Sequence, residues 1–113
     1  MLDDVTSLTL QTAVAGLSTR QQVTANNIAN LETPNFRSST VDFESSLANA
    51  LAVNDPTSTQ ITTSTTTAMA SVNGNNVSLA DEIVTATKTV LQEKLMTGAL
   101  NDKYGLLNTV MKG

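Results

Sequence analysis

The sequence predicts a mainly all-α chain. Its N- and C-terminal helices form an antiparallel, coiled-coil-like hairpin around a flexible or partly extended Ser/Thr-rich middle. Three observations predict this. Apolar residues recur at alternating steps of 4 and 3 near both ends. A stretch rich in Ser and Thr, opened by Pro56, separates the two runs. Aromatics make up only 3% of 113 residues, namely Phe36, Phe43 and Tyr104. Large rigid side chains supply much of a small core at about 25 cal/mol per Å² buried, so a chain this poor in them is expected to finish its core against partners.

The first zone, residues 1–31, reads as an N-terminal assembly helix from about residue 4 to about residue 30. Leu10, Val14, Leu17, Gln21, Thr24, Ile28 and Leu31 follow heptad spacing, with the polar pair in the middle. Asp3 and Asp4 stand near the start, where acids complement the helix dipole. On pattern alone, a coiled-coil seam and an ordinary amphipathic helix packed in its own domain both remain open.

The second zone, residues 32–77, opens with Thr33-Pro34-Asn35. Proline cannot continue the helical ladder and pushes the preceding residue out of the helical region. A short patterned piece follows from Val41 to Leu51, with Phe43, Leu47, Ala50 and Leu51 at helical spacing. After Asn54-Asp55-Pro56, the tract from Thr57 to Thr67 holds Ile61 as its one bulky apolar residue. Such a tract cannot offset its ordering entropy alone, which predicts a linker. Thr-rich segments also form strands when a neighbour supplies an edge. Val72 to Val77 reads as a tight turn between two short extended pieces.

The third zone, residues 78–113, reads as a C-terminal assembly helix. Ser78 is the expected N-cap, with Asp81 three residues on. Leu79, Ile83, Ala86, Val90, Leu100, Tyr104, Leu107 and Met111 mark one apolar line, which Glu93 and Thr97 interrupt; Leu91 and Leu95 add a second. Gly98 and Gly105 each weaken a helix by roughly 1 kcal/mol relative to Ala. They are explained equally by close approach to a neighbour or by fraying.

The sequence offers little chemistry. It has no His and no Cys, which removes the commonest general base, zinc sites and disulfides. Lys88 and Lys94 near Thr85, Thr87 and Thr89 read as solvated lysines, not as a hydroxyl–lysine dyad. The ten acids suggest no calcium loop, and there is no Walker or GxGxxG loop. Arg20, Arg37, Lys88, Lys94, Lys103 and Lys112 are dispersed in a chain of net charge −4, which argues against nucleic-acid binding. No cofactor and no metal are expected. The acidic start and the absence of a long apolar run predict neither a cleaved signal peptide nor a direct membrane span. Asn76-Val77-Ser78 fits a glycosylation sequon, but Ser78 is better explained as a cap.

One motif stands out: Asn26, Asn27, Ile28, Ala29 and Asn30, then Thr33, Pro34, Asn35 and Phe36. Three asparagines in five residues are costly inside a helix and suit hydrogen bonding to backbone near its end. Ile28 and Leu31 supply apolar contacts between them. Together with the preceding Ala25, this stretch closely resembles the signature of bacterial flagellar axial proteins, the rod, hook and hook-associated subunits. The short length, Val41-Asp42-Phe43, and Gly74 to Leu79 with Glu82 resemble the proximal-rod type. Asn35 stands where that family usually has Gly, and Asn tolerates the left-handed region better than most residues. Ser78 stands where an acid is usual and still caps.

The resemblance implies a non-enzymatic structural subunit of the proximal rod of the flagellar basal body. Such a subunit polymerises helically through its terminal helices and transmits torque for motility. It implies export by the flagellar apparatus and a place outside the cytoplasmic membrane. The implied partners are other rod subunits, the ring-to-rod adapter and copies of itself. The expected assembly seam is Leu10, Val14, Leu17, Ile28, Leu31, Ile83, Val90, Leu100 and Leu107. Two other classes compete: a small secreted helical-hairpin binding module or chaperone, and, more remotely, a hydrolase.

Overall fold

The computed structural model describes residues 2–112, with side chains described for residues 5–103 and Gly105. The order is α1 (Leu2–Ala29), β1 (Ser39–Asp42), α2 (Glu44–Ala52), a single 3-10 turn (Pro56–Ser58), β2 (Thr62–Thr65) and α3 (Leu79–Lys112). The two long helices dominate, and the middle segment folds against α1. Tyr104, Leu107 and Met111, expected on the apolar line of the last helix, lie outside the described side chains.

The Ser/Thr tract contains a strand. β1 and β2 pair antiparallel, with Ser39 opposite Thr65 and Asp42 opposite Thr62. The edge that threonines need comes from within the chain, so the strand reading of this tract holds over Thr62–Thr65. The expected turn near Gly74 is present, closed by Gly74 N–H on Ser71 O at 2.9 Å, but no strand flanks it on either side. The patterned piece divides: Val41 lies in β1, and Phe43 caps α2 from outside. α2 ends in a Schellman arrangement. Asn54 takes φ 56°, its N–H reaches Leu51 O at 3.0 Å, and Asp55 N–H reaches Ala50 O at 2.9 Å. Pro56 follows at once.

The core is small. Leu17, Val41 and Phe43 form its buried centre, with Ala13, Val23, Leu47, Ile61 and Met96 packed around it. Gly16 makes it possible: a Cβ there would lie 2.5 Å from Phe43 Cδ1, so the ring rests directly on the α1 backbone. Arg20 also packs on the ring. Its guanidinium carbon sits 5.1 Å from the Phe43 centroid. Nη1 and Nη2 donate to the two Glu44 carboxylate oxygens at 2.8 and 2.7 Å, and Nη2 also donates to Val41 O at 2.6 Å. One side chain of α1 therefore holds β1, the Phe43 ring and the start of α2.

α1 meets α3 in reversed order. Asn27 bonds Glu82, Arg20 lines a cleft with Lys88 and Thr89, and Met96 packs on the cluster around Leu17 and Ala13. The side of α3 turned inward carries Glu82, Thr85, Thr89 and Met96. Thr89 is fully buried, its hydroxyl donated to Thr85 O at 2.7 Å. Much of the apolar surface of α3 faces away from α1. Leu79, Ile83 and Val90 form one exposed row, and Val84, Leu91 and Leu95 a second. The principal extents are 64 × 26 × 14 Å, and 14 Å is little more than one helix diameter. Among the described residues no second layer covers those rows.

Gly16→Ala should destabilise the chain by about 1–3 kcal/mol, because the new methyl displaces the Phe43 ring. Gly98→Ala should be neutral or stabilising by up to about 1 kcal/mol, since nothing lies within 4 Å of a Cβ there. Urea denaturation of the two variants checks both.

The side-chain bond from Arg20 holds the Glu44 carboxyl below its usual range. Its stabilisation is therefore complete above the ordinary carboxylate range and is lost as pH falls through the lowered folded value. Because the Glu44 side chain is 58% exposed, the effect should stay below about 1 kcal/mol. Glu44→Gln should flatten the acid limb of stability against pH, read from urea midpoints.

Candidate functional site

The helix-end motif and the turn before α3 meet in one network of asparagine amides. An amide side chain carries the same donor and acceptor as a peptide group, so it can take a peptide's place in a ladder. Asn27 does this along β1. It is 1% exposed; its Oδ1 accepts from Ser39 N–H at 3.0 Å and its Nδ2 donates to Ser39 O at 2.8 Å. Those groups belong to the edge of β1 turned away from β2. The same Nδ2 donates to Glu82 Oε2 at 3.1 Å, tying α1, β1 and α3 together at one residue. With Arg20 on Val41 O, α1 side chains cover this strand edge.

Asn76 does the same at the end of the sheet. Its Oδ1 accepts from Ser38 N–H at 2.6 Å, and its Nδ2 donates to Thr66 O at 3.4 Å, Thr66 Oγ1 at 3.0 Å and Ala68 O at 3.2 Å. Thr66 N–H still bonds Ser38 O there at 2.8 Å, and the amide takes the place of the return bond from Ser38 N–H. Buried and fully bonded, Asn76 is no acceptor for a glycan in the folded chain.

Asn75 closes the end of α1. Its Nδ2 donates to Asn30 O and Thr33 O, both at 2.8 Å, adding a second bond to two carbonyls of the turn that follows the helix. Its Oδ1 accepts from Val77 N–H at 2.8 Å. Asn30 works locally: its Nδ2 donates to Asn26 O at 2.8 Å, and its Oδ1 accepts from Thr33 Oγ1 at 3.1 Å. Asn35 takes φ 61° as the third residue of the Thr33–Phe36 turn, and its N–H bonds Asn73 O at 2.9 Å. Gly74, at φ 83°, packs so closely on Asn35 that a Cβ would collide with that side chain. Ser78 caps α3: Asp81 N–H points at its Oγ at 3.4 Å, and Glu82 N–H bonds its carbonyl at 2.9 Å.

Of the motif residues, Asn27 is buried; Ile28, Asn30 and Phe36 are half-buried; and Asn26, Ala29, Thr33, Pro34 and Asn35 are exposed. Of the seam residues, Leu17 is buried in the chain's own core. Leu10, Val14, Ile28, Leu31 and Leu100 are half-buried, while Ile83 and Val90 are exposed; Leu107 lies outside the described side chains. Residue patterns passed over Gly16 and Arg20 as contributors, and placed Asn75 and Asn76 in a turn without assigning them bonds. Asn75 and Asn76 carried a signal in retrospect, two adjacent asparagines just before a capped helix.

Among the described residues no helix is long and apolar enough to cross a membrane. The family model that matches the chain is described as a flagella basal body rod protein, and the match covers residues 8–37. That span takes in Gly16, Arg20 and the whole motif from Asn26 to Phe36.

Two relatives extend the likeness beyond this segment. The flagellar basal body rod protein FlgB of Borreliella burgdorferi is 28% identical, over 85% of this chain and 87% of its own length. The protein of the same name from Bacillus subtilis is 27% identical, over 92% of this chain and 91% of its own. The chain is thus similar to structural proteins of the flagellar rod over most of its length.

Asn27→Ala should destabilise the fold by about 2–3 kcal/mol, because it strands the N–H and C=O of Ser39. Asn26→Ala, at an exposed position one residue away, should stay within about 0.5 kcal/mol. Thermal unfolding followed by circular dichroism separates the two.

Proposed function

We propose that this chain is a structural, non-enzymatic subunit of the proximal rod of the flagellar basal body. It polymerises helically and transmits torque. The observation that carries the reading is the likeness to two rod proteins across nearly their full lengths, anchored by a family match that contains the asparagine motif. The exposed rows on α3 support it, because a chain one helix thick leaves them for neighbours to cover.

In this reading residues 1–31 and 78–113 are assembly helices, joined as an antiparallel, coiled-coil-like hairpin. Leu10, Val14, Ile28, Leu31, Ile83, Val90, Leu100 and Leu107 meet neighbouring subunits, while Leu17 serves the chain's own core. Residues 32–77 hold the two helices in register. Other rod subunits, the ring-to-rod adapter and the export apparatus are the partners, and the subunit works outside the cytoplasmic membrane.

The asparagine network closes within one copy, and that favours a second reading. A small helical-hairpin binding module would form a stable one-to-one complex and no polymer. Light scattering of the chain mixed with rod subunits distinguishes the two.

Ile83 is 51% exposed, so Ile83→Glu should change monomer stability by no more than about 0.5 kcal/mol. The same variant should abolish swimming in a strain lacking the wild-type chain. Full motility of that strain would overturn the assembly role of α3. Deleting residues 97–113 should likewise stop rod growth.

A further inference from the structure

We infer that Asn73-Gly74 is a deamidation site that folding holds shut and unfolding opens. The chemistry needs only the chain and water. The Gly74 backbone nitrogen loses its proton and attacks Asn73 Cγ; an N–Cγ bond forms, the Cγ–Nδ2 bond breaks, and ammonia leaves. The resulting succinimide then takes up water at either carbonyl, giving aspartate or isoaspartate. Glycine on the C-terminal side offers the least steric resistance to this attack, because no Cβ shields its nitrogen. Asn73 is the single asparagine in the chain followed by glycine.

The fold tethers both reacting groups. Gly74 N–H is donated to Ser71 O at 2.9 Å, so the nucleophile keeps its proton. Asn73 Oδ1 accepts from Ser71 Oγ at 2.7 Å and from Asn75 N–H at 3.1 Å, so the electrophile is fixed in place. Asn73 O receives Asn35 N–H at 2.9 Å, and Gly74 sits against Asn35 at φ 83°. Reaction in the native state therefore requires the turn to open first, and its rate scales with the opening equilibrium.

The two products differ in consequence. Aspartate at 73 still offers oxygens to Ser71 Oγ and Asn75 N–H, so the turn can reform. In isoaspartate the main chain runs to Gly74 through Cβ and Cγ, one methylene longer, and the carbonyl that received Asn35 N–H becomes a side carboxylate, which breaks the register of the turn. A chain kept unfolded thus acquires a mark that hinders later folding.

The test incubates the full chain at mildly alkaline pH, once in native buffer and once in urea. Peptide mass mapping follows residue 73, and enzymatic isoaspartyl methylation counts the isoaspartate. Conversion at Asn73 should be at least about tenfold slower in the native sample. Ser71→Ala removes one bond to Asn73 Oδ1; it should speed native conversion severalfold and leave the rate in urea unchanged. Asn73→Asp should unfold at the same urea concentration as wild type. Equal rates in both buffers, or conversion in urea confined to other asparagines, would overturn the inference.

Discussion

The fold depends on one constraint: a two-stranded sheet of four residues a side cannot satisfy its own backbone. Ser39 and Val41 turn peptide groups away from β2, and at the sheet's end Thr66 N–H bonds Ser38 O while Ser38 N–H turns to a side chain instead. Side-chain amides and one guanidinium supply the missing partners. Asn27 and Arg20 do so from α1, and Asn76 from the approach to α3. Each of these residues also connects elements distant in sequence, so satisfying the sheet and joining the helices are one act.

Packing follows from this arrangement. Because Arg20 and Asn27 hold β1 against α1, Val41 and Phe43 fall onto Leu17 and the bare backbone at Gly16. The polar attachment fixes the geometry, and apolar burial, though modest in area, then stabilises it. Threonines rather than leucines fill the inward side of α3, which spares its larger apolar residues for the outer surface. A helix turned this way is consistent with a chain that shares its core with neighbours.

Much of the outline was legible in the sequence. Pro34 ended the first helix, Ser78 began the last, and the position of Asn35 pointed to a left-handed turn; each rule is local, and local rules read well from one sequence. The direction in which α3 faces was not legible. Heptad spacing identifies an apolar stripe but cannot say whether it meets a helix of the same chain. β2 was ambiguous because threonines await an edge, and that edge lay 20 to 26 residues upstream. Gly16 gave no signal at all, since its role appears only when Phe43 arrives over it.

The bonds that complete the fold span much of the chain. Asn75 closes the end of α1 across 45 and 42 positions, and Asn27 reaches Glu82 across 55. Loop closure of this length must precede any gain from the contact. A chain emerging from a ribosome or threading a narrow channel with its N-terminus first therefore cannot settle that end until residues 75–82 follow. Maturation waits for the tail, and until then the leading portion stays pliable.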